Sequence, residues 1–320
     1  MKYSFVLPAY KARFFREAID SILNQTYPDF ELIIVNDASP ENLDSIVESY
    51  DDERIRYYKN EKNLGGHDLV AQWNHSISYA SGEYIILASD DDTYSLEYLE
   101  RMNEMVEKYP QANVFRPRIK RVDETGKILL LDGFVNEYMS KVEYLYVWTS
   151  RWIGSGIPFY MFKREALMSI GGFVNYPLAW FSDDATIFKL ADSGVVTYNK
   201  TLFAFRESGE SISTFSNTKE TLCAKYKSTR MFYDEHMEFI KNYVPATDEE
   251  AHLLFVIRKR FSKLVLKQKI RSQLQTSSLP VILGTMGYAL KLGFSFGVLL
   301  KYCKFPIMAF CKRLFLFKKK

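Results

Sequence analysis

Over its first 115 residues the chain alternates short apolar runs with apolar positions recurring at helical spacing. Residues 3–7 (YSFVL) read as a strand stopped by Pro8-Ala9-Tyr10. Phe14, Phe15, Ala18, Ile19, Ile22 and Leu23 then predict a helix, which Gln25-Thr26-Tyr27-Pro28 breaks. A second apolar run, 30–35 (FELIIV), stops at Asn36-Asp37-Ala38-Ser39-Pro40, where proline suits the first turn of a helix. Residues 55–58 predict a third strand, Asn63-Leu64-Gly65-Gly66 a turn, and 69–80 a helix closed by Ser81-Gly82. Tyr84–Leu87 is the fourth strand, followed by a helix over 95–108 and a short strand at 113–115. Strands alternating with helices of this length imply an α/β fold with a doubly wound, mostly parallel sheet flanked by helices. The loops after strands one, two and four should gather on one sheet edge, where open α/β sheets bind ligands.

Beyond residue 116 the alternation fades. Asp123-Glu124-Thr125-Gly126 reads as a hairpin turn between RIKRV and KILLL. After the aromatic stretch 152–162 comes a helix from Arg164, then Gly171-Gly172-Phe173, and Ser182-Asp183-Asp184 ahead of an apolar helix carrying Ile187, Phe188 and Leu190.

Two acidic groups are the candidate chemistry. Asp90, Asp91 and Asp92 follow the buried fourth strand after Ala88-Ser89. Three adjacent carboxylates repel, and a hard divalent cation, Mg²⁺ or Mn²⁺, relieves that repulsion with the oxygen ligands such ions prefer. A solvated acidic loop ahead of the helix near Ser95 is the alternative. Asp183 and Asp184 stand at a predicted helix N-terminus, where capping and the helix dipole favour carboxylates without any catalytic role. No GxGxxG opens the first helix and no GxxxxGK[ST] occurs, which excludes a dinucleotide fingerprint and a P-loop. His67 and His75 lack partners at metal-binding spacing.

Composition bounds the picture. With 47% hydrophobic residues in 320, the chain buries a substantial core as one large domain, or one plus an appendage. Cys223, Cys303 and Cys311 are too scattered for a disulfide framework or a zinc site, so a reducing cytoplasm is expected, and the N-terminus reads as a strand rather than a signal peptide. The net charge of +3 conceals an asymmetry: no acid follows Glu250, leaving 27 basic against 39 acidic groups before that point.

Together the segments FVLPAY, SILNQTYPDFELIIVNDASP, NLGG with Trp73-Asn74, GEYIILASDDDTY, GGF with the later SDD, and FRESGESIS resemble the family 2 glycosyltransferases, over roughly residues 3–213 and in the family's order. The resemblance implies a GT-A fold and inverting transfer from a nucleotide-sugar donor, expected to be UDP-linked. It places Pro8, Ala9 and Tyr10 at the base pocket and Asp37 on the nucleobase. Asn63, Asn74, Asp90 and Arg206 fall among the donor-binding positions, and Asp90, Asp91 and Asp92 at the metal. Ala88 stands where the family usually has its first Asp. Asp183 falls at the catalytic base in the favoured register, which puts Ser182 in place of the usual Glu and Lys189 where the family often has Arg; a shift of one makes Asp184 the base. Arg206 either closes over the diphosphate or forms an ion pair with Glu207 or Glu210.

These readings divide the chain into a catalytic domain, 1–215, with a nucleotide half to about residue 115 and an acceptor half beyond, and a helical extension, 216–320. In the extension Thr247-Asp248-Glu249-Glu250 reads as a capping box for a basic amphipathic helix. Residues 280–300 are apolar except for Lys291, and a Lys-flanked aromatic segment follows. Residues 251–320 are thus expected to lie on an anionic membrane surface, with a helical hairpin packed on protein as the alternative, and nucleic acid is disfavoured. The expected function is metal-dependent transfer to a hydroxyl of a glycan or lipid-linked acceptor in cell-surface polysaccharide synthesis, at the inner face of the cell membrane. A catalytically silent nucleotide-sugar-binding or membrane scaffold protein is the competing reading, motivated by Ala88 and Ser182.

Overall fold

The computed structural model describes residues 1–207, 217–275, 277–297 and 299–300. Its first elements follow the sequence pattern: β1 (Tyr3–Ala9), α1 (Phe15–Leu23), β2 (Phe30–Asn36), α2 (Leu43–Val47), β3 (Ile55–Lys59), α3 (Leu69–Ile77) and β4 (Tyr84–Leu87). Then come β5 (Thr93–Tyr94), α4 (Tyr98–Lys108), β6 (Val114–Val122), β7 (Ile128–Leu131), β8 (Tyr138–Met139), α5 (Lys141–Ser150), β9 (Met161–Lys163), α6 (Arg164–Ser169), α7 (Ser182–Leu190) and β10 (Val195–Arg206). The expected strand at 113–115 is the beginning of β6, which continues through RIKRV into the antiparallel hairpin with β7.

The sheet order is β3-β2-β1-β4-β9-β6-β10-β5, with β7 beside β6 and β8 beside β10. Strands β3, β2, β1 and β4 are mutually parallel, as are β6 and β10; the short β9 runs antiparallel between β4 and β6. β2 and β4 are buried at every position and β1 at all but one. That is how a parallel sheet covered on both faces reads. α1 buries Phe15, Ala18, Ile19 and Ile22 along one stripe. Glu31 is buried at the start of β2, where it accepts hydrogen bonds from Ser4 Oγ, Ser81 N and Ser81 Oγ and pairs with Arg56. Burial would raise its carboxyl, but these bonds outweigh it and hold the group down at about 2.

The chain divides into two compact units, one comprising Met1–Asn175 with the stretch from Ser182 through β10, the other Tyr176–Phe181 with the C-terminal residues. The second unit contains α8 (Lys219–Asn242), α9 (Asp248–Lys263), a π-helical stretch (Leu264–Lys269), α10 (Ile270–Gln275) and α11 (Leu279–Lys291). Thr247 caps α9 by accepting from Glu250 N, but Glu250 turns to Ala246 N, so only half of the expected capping box forms. The apolar run after residue 279 packs inward through Ile282, Ala289, Phe294 and Leu299 against Leu222 and Tyr226 of α8. Leu283, Tyr288, Leu290 and Phe296 remain exposed. Among the described residues no helix is long and apolar enough to cross a membrane. Cys303, Cys311 and the aromatic segment 301–320 lie outside the described residues.

Candidate active site

Because β1, β2 and β4 run parallel, their carboxyl ends deliver three loops to one edge, and hydrogen bonds join them. Asp90 Oδ2 accepts from the backbone N–H of both Tyr10 and Lys11, each at 2.8 Å. Ser39 Oγ donates to the Tyr10 carbonyl at 2.5 Å. Pro8 and Ala9 complete β1, and Tyr10 is exposed at its end. Burial pushes the Asp90 carboxyl up to about 6; the Lys11 and Tyr10 amides oppose this, and the neighbouring Asp91 adds to it.

Asp92 turns inward. It is fully buried, takes the Arg206 N–H on Oδ1 at 2.8 Å and receives Ser89 Oγ on Oδ2. Burial, then repulsion from Asp91, raises its carboxyl well above the usual range. Asp91 is half-buried, and its carbonyl accepts from Arg206 Nε at 3.0 Å. The rest of the Arg206 guanidinium reaches Glu17 Oε2 at 2.6 Å and the Glu124 carbonyl at 3.0 Å, and it lies over the Phe14 ring. The ion-pair partner is therefore Glu17; Glu207 pairs instead with Arg121, and Glu210 lies outside the described residues.

The other expected donor positions are fastened to protein partners. Asp37 takes Leu64 N and Asn60 Nδ2 on one oxygen and Gly65 N on the other, at 2.7–2.8 Å, so it holds the NLGG turn. Asn63 accepts from Gly66 N within that turn. Asn74 bridges Phe173 through both ends of its amide, at 2.7 and 3.0 Å, over Gly172, whose φ of +88° favours glycine. The Trp73-Asn74 and GGF motifs are thus two halves of one contact. His75 binds Asn60 Oδ1 at 3.1 Å.

The second acidic group forms a separate network at the start of α7. Ser182 is wholly buried. Asp183 is half-buried and accepts the Asp184 N–H at 2.8 Å, a bond that also serves the helix N-terminus. Asp184 is buried, and its Oδ1 accepts from Trp148 Nε1 at 2.8 Å and Ser155 Oγ at 2.5 Å. Trp148 is carried by α5, which opens on a capping box of Ser140 and Glu143. Ser155 sits on a loop held by a buried ion pair: Asp132 pairs with the wholly buried Arg116 and accepts Gly154 N at 2.8 Å. Sequence reasoning missed Arg116, Asp132, Trp148 and Ser155. Only the Ser-x-x-Glu spacing at 140–143 was a usable signal, and it marks the helix rather than the site.

A divalent cation can be tested against these residues. Among those described, no group of three His, Cys, Asp or Glu side chains is disposed to hold a metal. Mg²⁺, however, is commonly held by one or two carboxylates plus substrate phosphates. Asp90 and Asp91 supply hard oxygens at the loop edge, and burial with repulsion from Asp91 raises the Asp90 carboxyl, a cost that a nearby cation would relieve. In charge and ligand type the loop fits such an ion.

The chain is a member of glycosyl transferase family 2, whose profile matches residues 4–171. Among its relatives, an uncharacterized glycosyltransferase of Rickettsia typhi is 35% identical over 112 residues, 35% of this chain and 34% of that one. The putative glycosyltransferase EpsE of Bacillus subtilis is 33% identical over 129 residues, 39% of this chain and 45% of that one. The chain spans less than half the length of these relatives. The crystal structure of S. aureus TarS 1–349 in complex with UDP-GlcNAc has a similar fold, with a TM-score of 0.64 at 18% identity over 96% of this chain and 90% of that one.

Proposed function

We propose that this chain is an inverting glycosyltransferase that moves a sugar from a nucleoside-diphosphate donor to an acceptor hydroxyl. The observation that carries this reading is the acidic loop after β4, latched by Asp90 to the end of β1 at the ligand-binding edge of the sheet. A UDP-linked donor is supported by the fold neighbour crystallised with UDP-GlcNAc and with UDP.

Asp183 acts as base, because its carboxylate is half-exposed whereas Asp184 is buried under Trp148 and Ser155. The acceptor oxygen forms its bond to the anomeric carbon as its proton passes to Asp183. The bond from that carbon to the donor phosphate breaks, its electron pair leaving with the nucleoside diphosphate. Asp184 holds the first turn of α7, and hence Asp183, in place. Asp90 and Asp91 would hold a divalent cation, whose contribution when bound is Lewis-acid neutralisation of the diphosphate. Arg206 and Asp92 keep the loop carrying those carboxylates in position. The acceptor is a hydroxyl of a glycan or lipid-linked chain in cell-surface polysaccharide synthesis. The exposed apolar side chains Leu283, Tyr288, Leu290 and Phe296, with the acid-free sequence after Glu250, support peripheral attachment to an anionic membrane.

The test is a panel of nucleotide sugars with and without Mn²⁺, scored by nucleotide release. Cation-dependent release from one donor is the expected result. Donor binding with no release or transfer under any cation would support the silent binding protein instead.

A further inference from the structure

Within the second unit, α8 carries a lysine that its surroundings do not neutralise. Lys225 is only 5% exposed, and among the described residues no carboxylate or other hydrogen-bonding atom pairs with its ammonium. Its contact is the ring of Trp180, whose centroid lies 4.8 Å from Nζ. Trp180 is half-buried, and its indole N–H is itself buried without an acceptor. Two donors, one of them charged, therefore stand together with no acceptor between them among the described residues. A largely buried cation with no counter-charge among the described residues is costly, and burial holds the Lys225 ammonium below the usual lysine range. A cation–π contact compensates only part of that cost.

The segment bearing Trp180 is also held in an unusual conformation. Leu178, Ala179 and Phe181 all have positive φ, at 60°, 54° and 69°, in the left-handed region that non-glycine residues seldom adopt. Packing on α8 enforces it: Phe181 stacks on Phe232 with ring centroids 4.3 Å apart, and Ser228 Oγ donates to the Pro177 carbonyl at 2.9 Å. Strain of this kind persists only where the surroundings over-determine it, and here it sets the indole beside the lysine.

We propose that Lys225 and Trp180 form a binding site for an oxyanion, a phosphoryl or carboxylate group. The ammonium supplies the charge and the indole N–H a second donor.

Accordingly, the experiment leaves out donor and metal. Tryptophan fluorescence of the full chain is titrated at constant ionic strength with inorganic phosphate, with glucuronate and with neutral glucose, and Trp180→Phe assigns the signal. A saturable change with phosphate or glucuronate but not with glucose is expected, the responding anion identifying the group. Lys225→Met should weaken it by about ten- to a hundredfold, the worth of a charge-assisted hydrogen bond, while Lys225→Arg retains it. Should the Met variant fail to fold, Lys225→Gln repeats the measurement. No saturable response in the wild type, an equal response to glucose, or an undiminished response without the lysine would overturn the proposal. Nucleotide release, assayed separately, judges the donor reading independently.

Discussion

Replacing Asp183 and Asp184 in turn by Asn separates catalysis from architecture at the start of α7. Asp184 accepts two hydrogen bonds on one buried oxygen, from Trp148 and Ser155. An Asn amide oxygen can still accept both, but each changes from a charge-assisted bond of about 2 kcal/mol to a neutral one of about 1. Asp184→Asn should thus cost about 2 kcal/mol in urea unfolding. Asp183 is half-buried and receives a backbone N–H that Asn would also accept. Asp183→Asn should therefore cost less stability than Asp184→Asn. Its effect belongs to the reaction: without the base, transfer should slow by roughly two to four orders of magnitude, about 3–5 kcal/mol in the barrier, with donor affinity near normal. The assay follows nucleotide release and acceptor glycosylation under saturating donor, beside urea titrations of both variants. If Asp184→Asn shows the kinetic loss and Asp183→Asn does not, the base is Asp184. If neither slows transfer, the pair is a helix cap and the mechanism above is wrong.

Three further outcomes are expected. Asp91→Ala should abolish the Mn²⁺-dependent part of nucleotide binding; an affinity that still rises with Mn²⁺ in this variant would remove Asp91 from the metal site. Glu31, lowered to about 2 in the fold from an ordinary 4.5, contributes stability that is complete above the ordinary value and is lost as pH falls toward 2. Glu31→Gln should flatten that acid limb by about 2 kcal/mol after allowance for screening at the partly exposed Arg56, and parallel pH profiles of variant and wild type would contradict it. In Gly172→Ala the new Cβ would meet Asn74 Oδ1 at 2.5 Å on a backbone with φ of +88°, so a loss of about 2–3 kcal/mol is expected, and a near-neutral result would mean that the Asn74 bridge gives way easily.

The first 115 residues were legible because their signals are local. Buried strands such as FELIIV and YIIL end abruptly in polar loops, and the period changes from strand to helix within a few residues. β10 was not legible, although it pairs with β6 along its length. Its apolar ends, Val195-Val196 and Leu202-Phe203, are separated by Asn199-Lys200, and irregular register near Tyr198 and Thr201 absorbs the interruption. β9, three residues long, had no period to read. At the site, sequence located the acidic groups but not their orientation. Asp92 follows the same strand as Asp90 yet faces inward, because its partner is the backbone of Arg206. Asn74 stands among motif residues, but its amide is occupied by Phe173, 99 positions away. Such pairings leave no trace in local composition.

The clamp made by Arg206 also has a temporal side. Its backbone and guanidinium close on Asp92, the Asp91 carbonyl, Glu124 and Glu17, yet it follows Asp92 by 114 residues. At the usual pace of translation, about 5–20 residues per second, the acidic loop leaves the ribosome roughly 6–23 s before the strand that secures it. During that interval β1, β2 and β4 can pair while the carboxylates beside them have neither the Arg206 amide nor its positive charge. The nascent N-terminal part is therefore an assembled sheet with an unfinished edge, completed only by the last strand of its unit among the described residues.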